Sequence, residues 1–404
     1  MHRDRWIKIS FYFIAIAVVQ ELLFRICFPL PEIENLNRID LDVNVLQETH
    51  RIYQRDQDWY WQSSLDTEAR FVHRMNRYGF RDQEWCVTKP PDVRRILMIG
   101  DSFVEGVMSS QDQTIPAYLH QLSGSDQLEV FNCGLTGRGL SEYLQVFADL
   151  IPIYRPEMVW VCLYANDLGT SMPLIPEHYL QPDYFNPFVP RIWELIQQAR
   201  TYGPVHFRWF NAPLSFFDQI PDQDDPHSAP ASIGQLSSGI ADAVHAGTFN
   251  PFRINTFSKE LKALPSEPEL GEFLPFLKFF GDKFGAKVVI VYLPSRNQIT
   301  RYYYPYERAL STEDLPDSLD LTTNAYQIHQ QVLLKQCNEL GIKFLDLTMP
   351  LRSKEEEGVH LYWNYDEHMR SVGYRTVAEL LWKWMQQNPG WGNPDSGHVK
   401  DKGK

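Results

Sequence analysis

The reading of the chain turns on Arg95-Ile96-Leu97-Met98-Ile99-Gly100-Asp101-Ser102-Phe103. An uninterrupted apolar run stops at a glycine, an aspartate and a serine, the pattern of a buried parallel strand that ends in a tight turn. Ligands of open α/β sheets collect beyond the carboxyl ends of the strands. Ser102 stands at such an end, and Phe103 to Leu122 can begin a helix directly after it. Unused amides there would stabilise negative charge beside the hydroxyl, which makes Ser102 a candidate nucleophile. The competing reading is that Asp101-Ser102 only caps the following helix, since both residue types cap well.

Outward from this stretch, four more apolar runs repeat the pattern: Leu128–Asn132, Met158–Leu163, Val288–Leu293 and Ile342–Leu345. Helical patterns at Ser141–Ile151, Glu269–Phe284 and Ala325–Leu340 lie between them. Strands alternating with helices imply βαβ units and an α/β fold with a five-stranded parallel sheet. Right-handed crossovers put all the carboxyl ends on one rim. The alternation breaks from Ser171 to Ser266, a stretch rich in proline and aromatics that includes Asp222-Gln223-Asp224-Asp225-Pro226. A long irregular insertion near a rim reads as a lid or binding element. Its aspartates lack the spacing of a calcium hand and read as a solvated surface loop.

The N-terminus carries Arg3, Arg5 and Lys8 before an apolar run from Ile9 to Val19. Gln20, Glu21 and Arg25 interrupt the run, which continues through Leu22–Phe24 and Ile26–Phe28. With the interruption included, it reaches the ~20 residues a spanning helix needs. No small-residue cleavage site follows, so residues 1–31 read as an uncleaved signal anchor, one N-terminal transmembrane helix. The basic flank puts the N-terminus in the cytoplasm and the remainder outside. A buried or interfacial amphipathic helix is the alternative. Pro29-Leu30-Pro31 ends the segment. Residues 32–92 form a polar and aromatic extension, with Trp59-Tyr60-Trp61 clustered and Asn76–Asp82 reading as a turn that covers the sheet edge. Lys89-Pro90-Pro91-Asp92 opens the core domain, 93–388 with its insertion at 171–266, and 389–404 form a polar tail.

A net charge of −13 without a basic, aromatic-interleaved stripe excludes nucleic acid as a partner. The five cysteines are odd in number and widely spaced, which suits neither a disulfide framework nor zinc. Cys133 and Cys162 sit in strand-like runs as small hydrophobes. With no CxxC, HExxH, phosphate loop or dinucleotide fingerprint, neither cofactor nor metal is expected.

The chemistry gathers just past the strand ends. The second strand runs into Asn132-Cys133-Gly134-Leu135-Thr136-Gly137-Arg138-Gly139, whose glycines let backbone amides approach a ligand. The third ends in Tyr164-Ala165-Asn166-Asp167, and the last leads to Asn364-Tyr365-Asp366-Glu367-His368 before a final helix after Gly373. Acyl transfer needs a nucleophile, a base, a group that orients the base, and oxyanion donors. Ser102, His368, Asp366, and the trio of the Ser102 amide, the Gly137 amide and the Asn166 side chain supply these roles. Singly, Asn166-Asp167 could cap a helix, the glycines could serve turns, and His368 could be a surface residue. Their joint order, each just past a strand, favours the chemical reading.

With these residues the chain resembles the GDSL or SGNH hydrolases, named for four blocks that carry Ser, Gly, Asn and His. Gly100–Phe103 resembles the first block, Asn132–Gly137 the second, Tyr164–Asp167 the third and Asp366–His368 the last. Ala165 replaces the usual glycine. The acid often found three residues before the histidine would be Tyr365 here, so Asp366 takes that role, the alternative being a backbone carbonyl. The resemblance covers residues 93–170 and 285–387. It implies a three-layer α/β/α, flavodoxin-like fold and serine-dependent ester hydrolysis through an acyl-serine. The Gly79-Phe80-Arg81 stretch and the anchor resemble a membrane-anchored bacterial branch, whose partners would be ester-bearing small molecules, lipids or envelope glycans. An O-acyltransferase for an extracytoplasmic polysaccharide and a silent membrane-tethered binding or assembly protein are the two rivals. Tyr302, Tyr303 and Tyr304 could stack on a sugar, but packing is the preferred reading.

Overall fold

The computed structural model describes residues 12, 15–23, 59–124, 127–169, 236–249, 253–255, 268, 270–312, 314–318, 320 and 327–388 of the 404. The chain forms two compact units. In the unit made of Met1–Ile39 and Ile175–Asp225, the described residues are helical, with Ile16, Val18, Val19, Leu22 and Leu23 each more than half exposed. Among the described residues no helix is long and apolar enough to cross a membrane. Half of the run from Ile9 to Phe28 expected to span lies outside them, as do Asp222–Pro226 and the polar tail.

The second unit, Asp40–Leu174 with Pro226–Lys404, holds everything that follows. It begins with an antiparallel hairpin of β1 (Trp59–Ser63) and β2 (Thr67–His73). Five parallel strands form the core: β3 (Arg94–Gly100), β4 (Leu128–Gly134), β5 (Met158–Tyr164), β6 (Lys287–Leu293) and β7 (Lys343–Asp346). Their spatial order is β4-β3-β5-β6-β7. Counted from one within the sheet, this is 2-1-3-4-5, the flavodoxin-like doubly wound order. From β3 the chain first goes to one side and then returns to the other. The topological switch point therefore lies at the carboxyl end of β3, where Ser102 begins.

Side chains alternate across the sheet. Ile96, Met98, Met158, Trp160, Val289 and Val291 join a core with α2 (Ile115–Ser123) and the last helix, α10 (Ser371–Gln387). The intervening residues Leu97, Ile99, Val159 and Val161, also fully buried, face the opposite layer. There α3 (Leu140–Tyr154) packs beside α5 (Phe273–Phe284), and α5 beside α8 (Ile328–Leu340). The three layers follow from this alternation.

The helix after Ser102 is shorter than its sequence suggests. α1 spans only Ser102–Glu105, capped by Asp101, whose carboxylate accepts the Phe103 amide. Gly106 ends it at φ 85°, a left-handed conformation that glycine adopts without steric cost. A turn through Ser110 precedes α2, where Thr114 accepts the Ala117 amide and Pro116 occupies the first turn. Asp101 is thus a cap, and Ser102 is left at a sharp strand-to-helix corner.

The extension reaches further than an edge cover. Asp82 does accept the Asn132 amide of edge strand β4, with Trp85 stacked on Phe131. Arg81 is fully buried, however, and donates to the carbonyls of Gly106 and Ser109 behind the Ser102 corner.

Candidate active site

Three neighbouring strand ends supply the first half of the site. Ser102 follows the middle strand, β3; Gly137 follows β4 on one side and Asn166 follows β5 on the other. Gly137 is exposed at φ 73°, and Asn166 is exposed in the 3₁₀ turn Ala165–Gly169. Ser102 itself is 8% exposed, so its hydroxyl stands at the floor of this rim rather than on it.

The second half comes from the loop between α9 (Thr348–Glu356) and α10. His368 Nε2 lies 2.8 Å from Ser102 Oγ, and its Nδ1 lies 2.5 Å from Asp366 Oδ1. That Oδ1 also accepts the His368 backbone amide at 2.9 Å, while Oδ2 accepts Nε1–H of Trp61 at 3.1 Å. Burial alone would raise the Asp366 carboxyl. The charges of His368 and Arg253 and these hydrogen bonds outweigh it and hold the group well below the usual carboxylate range. An ionised Asp366 can only accept, so Nδ1 of His368 carries the proton and Nε2 accepts from the Ser102 hydroxyl. The arrangement can draw a proton from Ser102 and hold it on an imidazole whose positive charge faces a carboxylate.

The loop has its own scaffold. Arg296, from the short helix after β6, is buried and donates to the carbonyls of Trp363, Asn364 and Asp366 while pairing with Glu307. Trp363 Nε1 donates to the Met108 carbonyl at 3.1 Å, and the Tyr374 hydroxyl of α10 to that of Val107 at 2.7 Å, which ties this loop and the start of α10 to the segment after Ser102. Tyr303 and Tyr304 are buried, and the Tyr303 hydroxyl accepts the Tyr362 amide. Tyr302 stacks on His360 at 3.6 Å between centroids. All three tyrosines pack.

Beneath the Gly137 side of the rim, Glu105 is wholly buried and ionised. Burial opposes the charge, but a hydrogen bond from His73 at 2.7 Å and two from Thr136 more than offset it. Burial keeps His73 neutral. Asp101 and Asp167 form a second acidic level. Burial pushes Asp101 up to about 7, and burial with the neighbouring Asp101 charge holds Asp167 well above the usual carboxylate range. The Tyr143 hydroxyl donates to Asp167 at 3.0 Å. Among the described residues no cluster of His, Cys, Asp and Glu could hold a metal ion.

No protein-family model and no curated protein matches the chain. Solved structures do. A lipase/acylhydrolase from Enterococcus faecalis is 12% identical, with a TM-score of 0.36 over 73% of this chain and 97% of its own. A member of the lipolytic G-D-S-L family from Veillonella parvula is 11% identical, with a TM-score of 0.35 over 73% of this chain and 100% of its own. The psychrotrophic esterase EstA from Pseudoalteromonas sp. is 10% identical, with a TM-score of 0.34 over 74% of this chain and 99% of its own. These likenesses are loose, and the fold rests on the strand order and register described above.

Sequence reasoning missed Trp61, Asp66, His73, Glu105, Arg253 and Arg296. The Trp59-Tyr60-Trp61 cluster was a signal without a direction, and Glu105, three residues after Ser102, was a buried charge written as an ordinary helical glutamate. Arg253 lies in the insertion and pairs with Glu367. No local pattern marks it.

Proposed function

We propose that the protein is a serine-dependent ester hydrolase of the SGNH type, acting on acyl groups of envelope glycans or lipids. The observation that carries this reading is the continuous line from Ser102 Oγ through His368 to Asp366, with contacts of 2.8 and 2.5 Å. Ser102 Oγ attacks the ester carbonyl as its proton passes to His368 Nε2. The negative oxygen is held by the amides of Ser102 and Gly137 and by the Asn166 side chain. As the tetrahedral intermediate collapses, His368 gives the proton to the departing alcohol and an acyl-serine remains. Water, deprotonated by His368, then attacks the acyl-serine and releases the acid. A sugar hydroxyl in place of that water would make the same site an O-acyltransferase.

Residues 1–31 serve in this reading as a membrane anchor, with the hydrolase unit outside the cytoplasm. The exposed apolar residues Ile16, Val18, Val19, Leu22 and Leu23 support it. Retention in the membrane pellet after alkaline extraction, and release when residues 1–31 are deleted, would be the corresponding test.

The deciding experiment is labelling with a fluorophosphonate followed by peptide mapping. Modification at Ser102 is expected in the wild type and absent in His368→Ala. Equal labelling of the two would remove His368 from the chemistry, and an unmodified, folded wild type would favour the silent binding reading. Product analysis with and without a glycan acceptor separates hydrolysis from transfer.

A further inference from the structure

The acid arm of the site is not built from the α/β core alone. Three side chains from outside it converge on residues 364–368. Trp61 of β1 donates Nε1–H to Asp366 Oδ2, and its ring meets His368 edge-on with centroids 5.5 Å apart. Asp66, in the hairpin turn, accepts the amides of Asn364 at 2.6 Å and Tyr365 at 2.9 Å. Arg253 lies over the Trp61 ring, 5.5 Å from its centroid, and pairs with Glu367. The hairpin is braced from behind by the end of the insertion. Ser64 donates its amide to the Thr248 carbonyl, and Leu65 and Tyr365 pack against an apolar cluster that includes Ile240 and Val244 of the helix Ser238–His245.

A carboxylate engaged through one oxygen can still rotate about its Cβ–Cγ bond. In Asp366 the second oxygen is taken by Trp61, which fixes the carboxylate plane and therefore the direction in which Oδ1 meets the imidazole. A ring needed only for packing would require no donor at that point. We propose that the hairpin of residues 59–73 is a working part of the site, with Trp61 the positioning residue for Asp366 and, through it, for His368. Asp66 plays the matching part for the backbone on which both stand. This inference rests on the reading of Ser102 and His368 as nucleophile and base.

The test uses full-length Trp61→Phe, which keeps an aromatic ring against His368 and removes only the donor and the indole's second ring. Two quantities are read. One is fluorophosphonate modification of Ser102, separated into probe affinity and the rate of the chemical step. The other is the low-field proton resonance of the His368–Asp366 hydrogen bond. The chemical step should slow by about tenfold or more at unchanged probe affinity, the scale expected for one lost orienting hydrogen bond. The resonance should shift or disappear. A Trp61→Phe protein with the wild-type rate and an unmoved resonance overturns the proposal. Trp61→Ala adds loss of packing, so the phenylalanine variant decides if the alanine variant fails to fold. If wild-type Ser102 is never modified, the hydrolase reading falls, and the resonance alone decides whether Trp61 positions Asp366.

Discussion

Glu105 holds Thr136 twice, accepting its backbone amide at 2.8 Å and its hydroxyl at 2.7 Å on the same carboxylate oxygen. One residue stands three places after Ser102 and the other one place before Gly137. The Ser102 corner and the Gly137 loop are therefore joined through a single buried anion, with His73 donating to its other oxygen. Removing that anion leaves three donors without their acceptor, one of them on the buried His73 and two on the half-buried Thr136. Glu105→Ala should cost about 3 kcal/mol or more, whereas Thr136→Val, which deletes only the hydroxyl, should cost about 1 kcal/mol. Urea denaturation measures both, and equal costs would mean that the carboxylate does not organise the loop.

Gly134 makes the same junction intolerant of a methyl group. A Cβ there would sit 2.1 Å from the Glu105 amide nitrogen and 2.6 Å from the Val104 carbonyl carbon. These are backbone atoms and cannot swing aside, so Gly134→Ala should cost about 1–3 kcal/mol. Because the helix pushed is the one that carries Ser102, labelling at Ser102 should fall as well. A stable, fully labelled variant would show that β4 and α1 can separate freely.

Asn166 should show the opposite balance. Its side chain is exposed, so Asn166→Ala should leave the melting temperature nearly unchanged. Turnover on a responsive ester should nonetheless drop by the equivalent of about 3 kcal/mol of transition-state stabilisation. Full turnover in the variant would take Asn166 out of the oxyanion hole.

Asp101 gives stability a pH signature. Burial is the main reason its folded pKa rises to about 7, with the Glu367 charge adding to it and the Phe103 amide and His368 opposing. The unfolded value lies near 3.9, so between roughly pH 4 and 7 the folded state keeps a proton that the unfolded chain has released. This component therefore stabilises at low pH and is lost as the pH rises through 7. Asp101→Asn retains an oxygen for the Phe103 amide and lacks the titration. Its melting temperature should gain on the wild type as the pH goes from 5 to 8. A difference that stays constant across that range would mean Asp101 does not change its protonation on folding.

The sheet was legible because its central strands are apolar runs with a breaker at the end, and a pattern within one segment needs no distant information. The first three motif blocks were legible for the same reason, since each straddles the carboxyl end of a strand, whereas Asp366–His368 lies beyond the helix that follows the last strand. Two local expectations gave way to neighbours. The continuous helix after Ser102 is broken because Gly106 takes a left-handed turn, and the Arg81 turn serves buried carbonyls as well as the sheet edge. Trp61, Asp66 and Arg253 were illegible as site residues because their meaning lies in partners far along the chain. Trp61 and Asp366 are 305 residues apart. Arg296 likewise reads as an ordinary polar residue until three loop carbonyls close around it.

The span between Trp61 and Asp366 also orders events in time. A chain emerging from the ribosome presents the hairpin and the nucleophile corner long before residues 364–368 exist, and contacts this remote are among the last to form in folding. Until they do, His368 is not beside Ser102. Under the proposed function, an unfinished or misfolded copy of the protein would carry a serine without its base, and reactivity toward esters would arrive only with the completed fold.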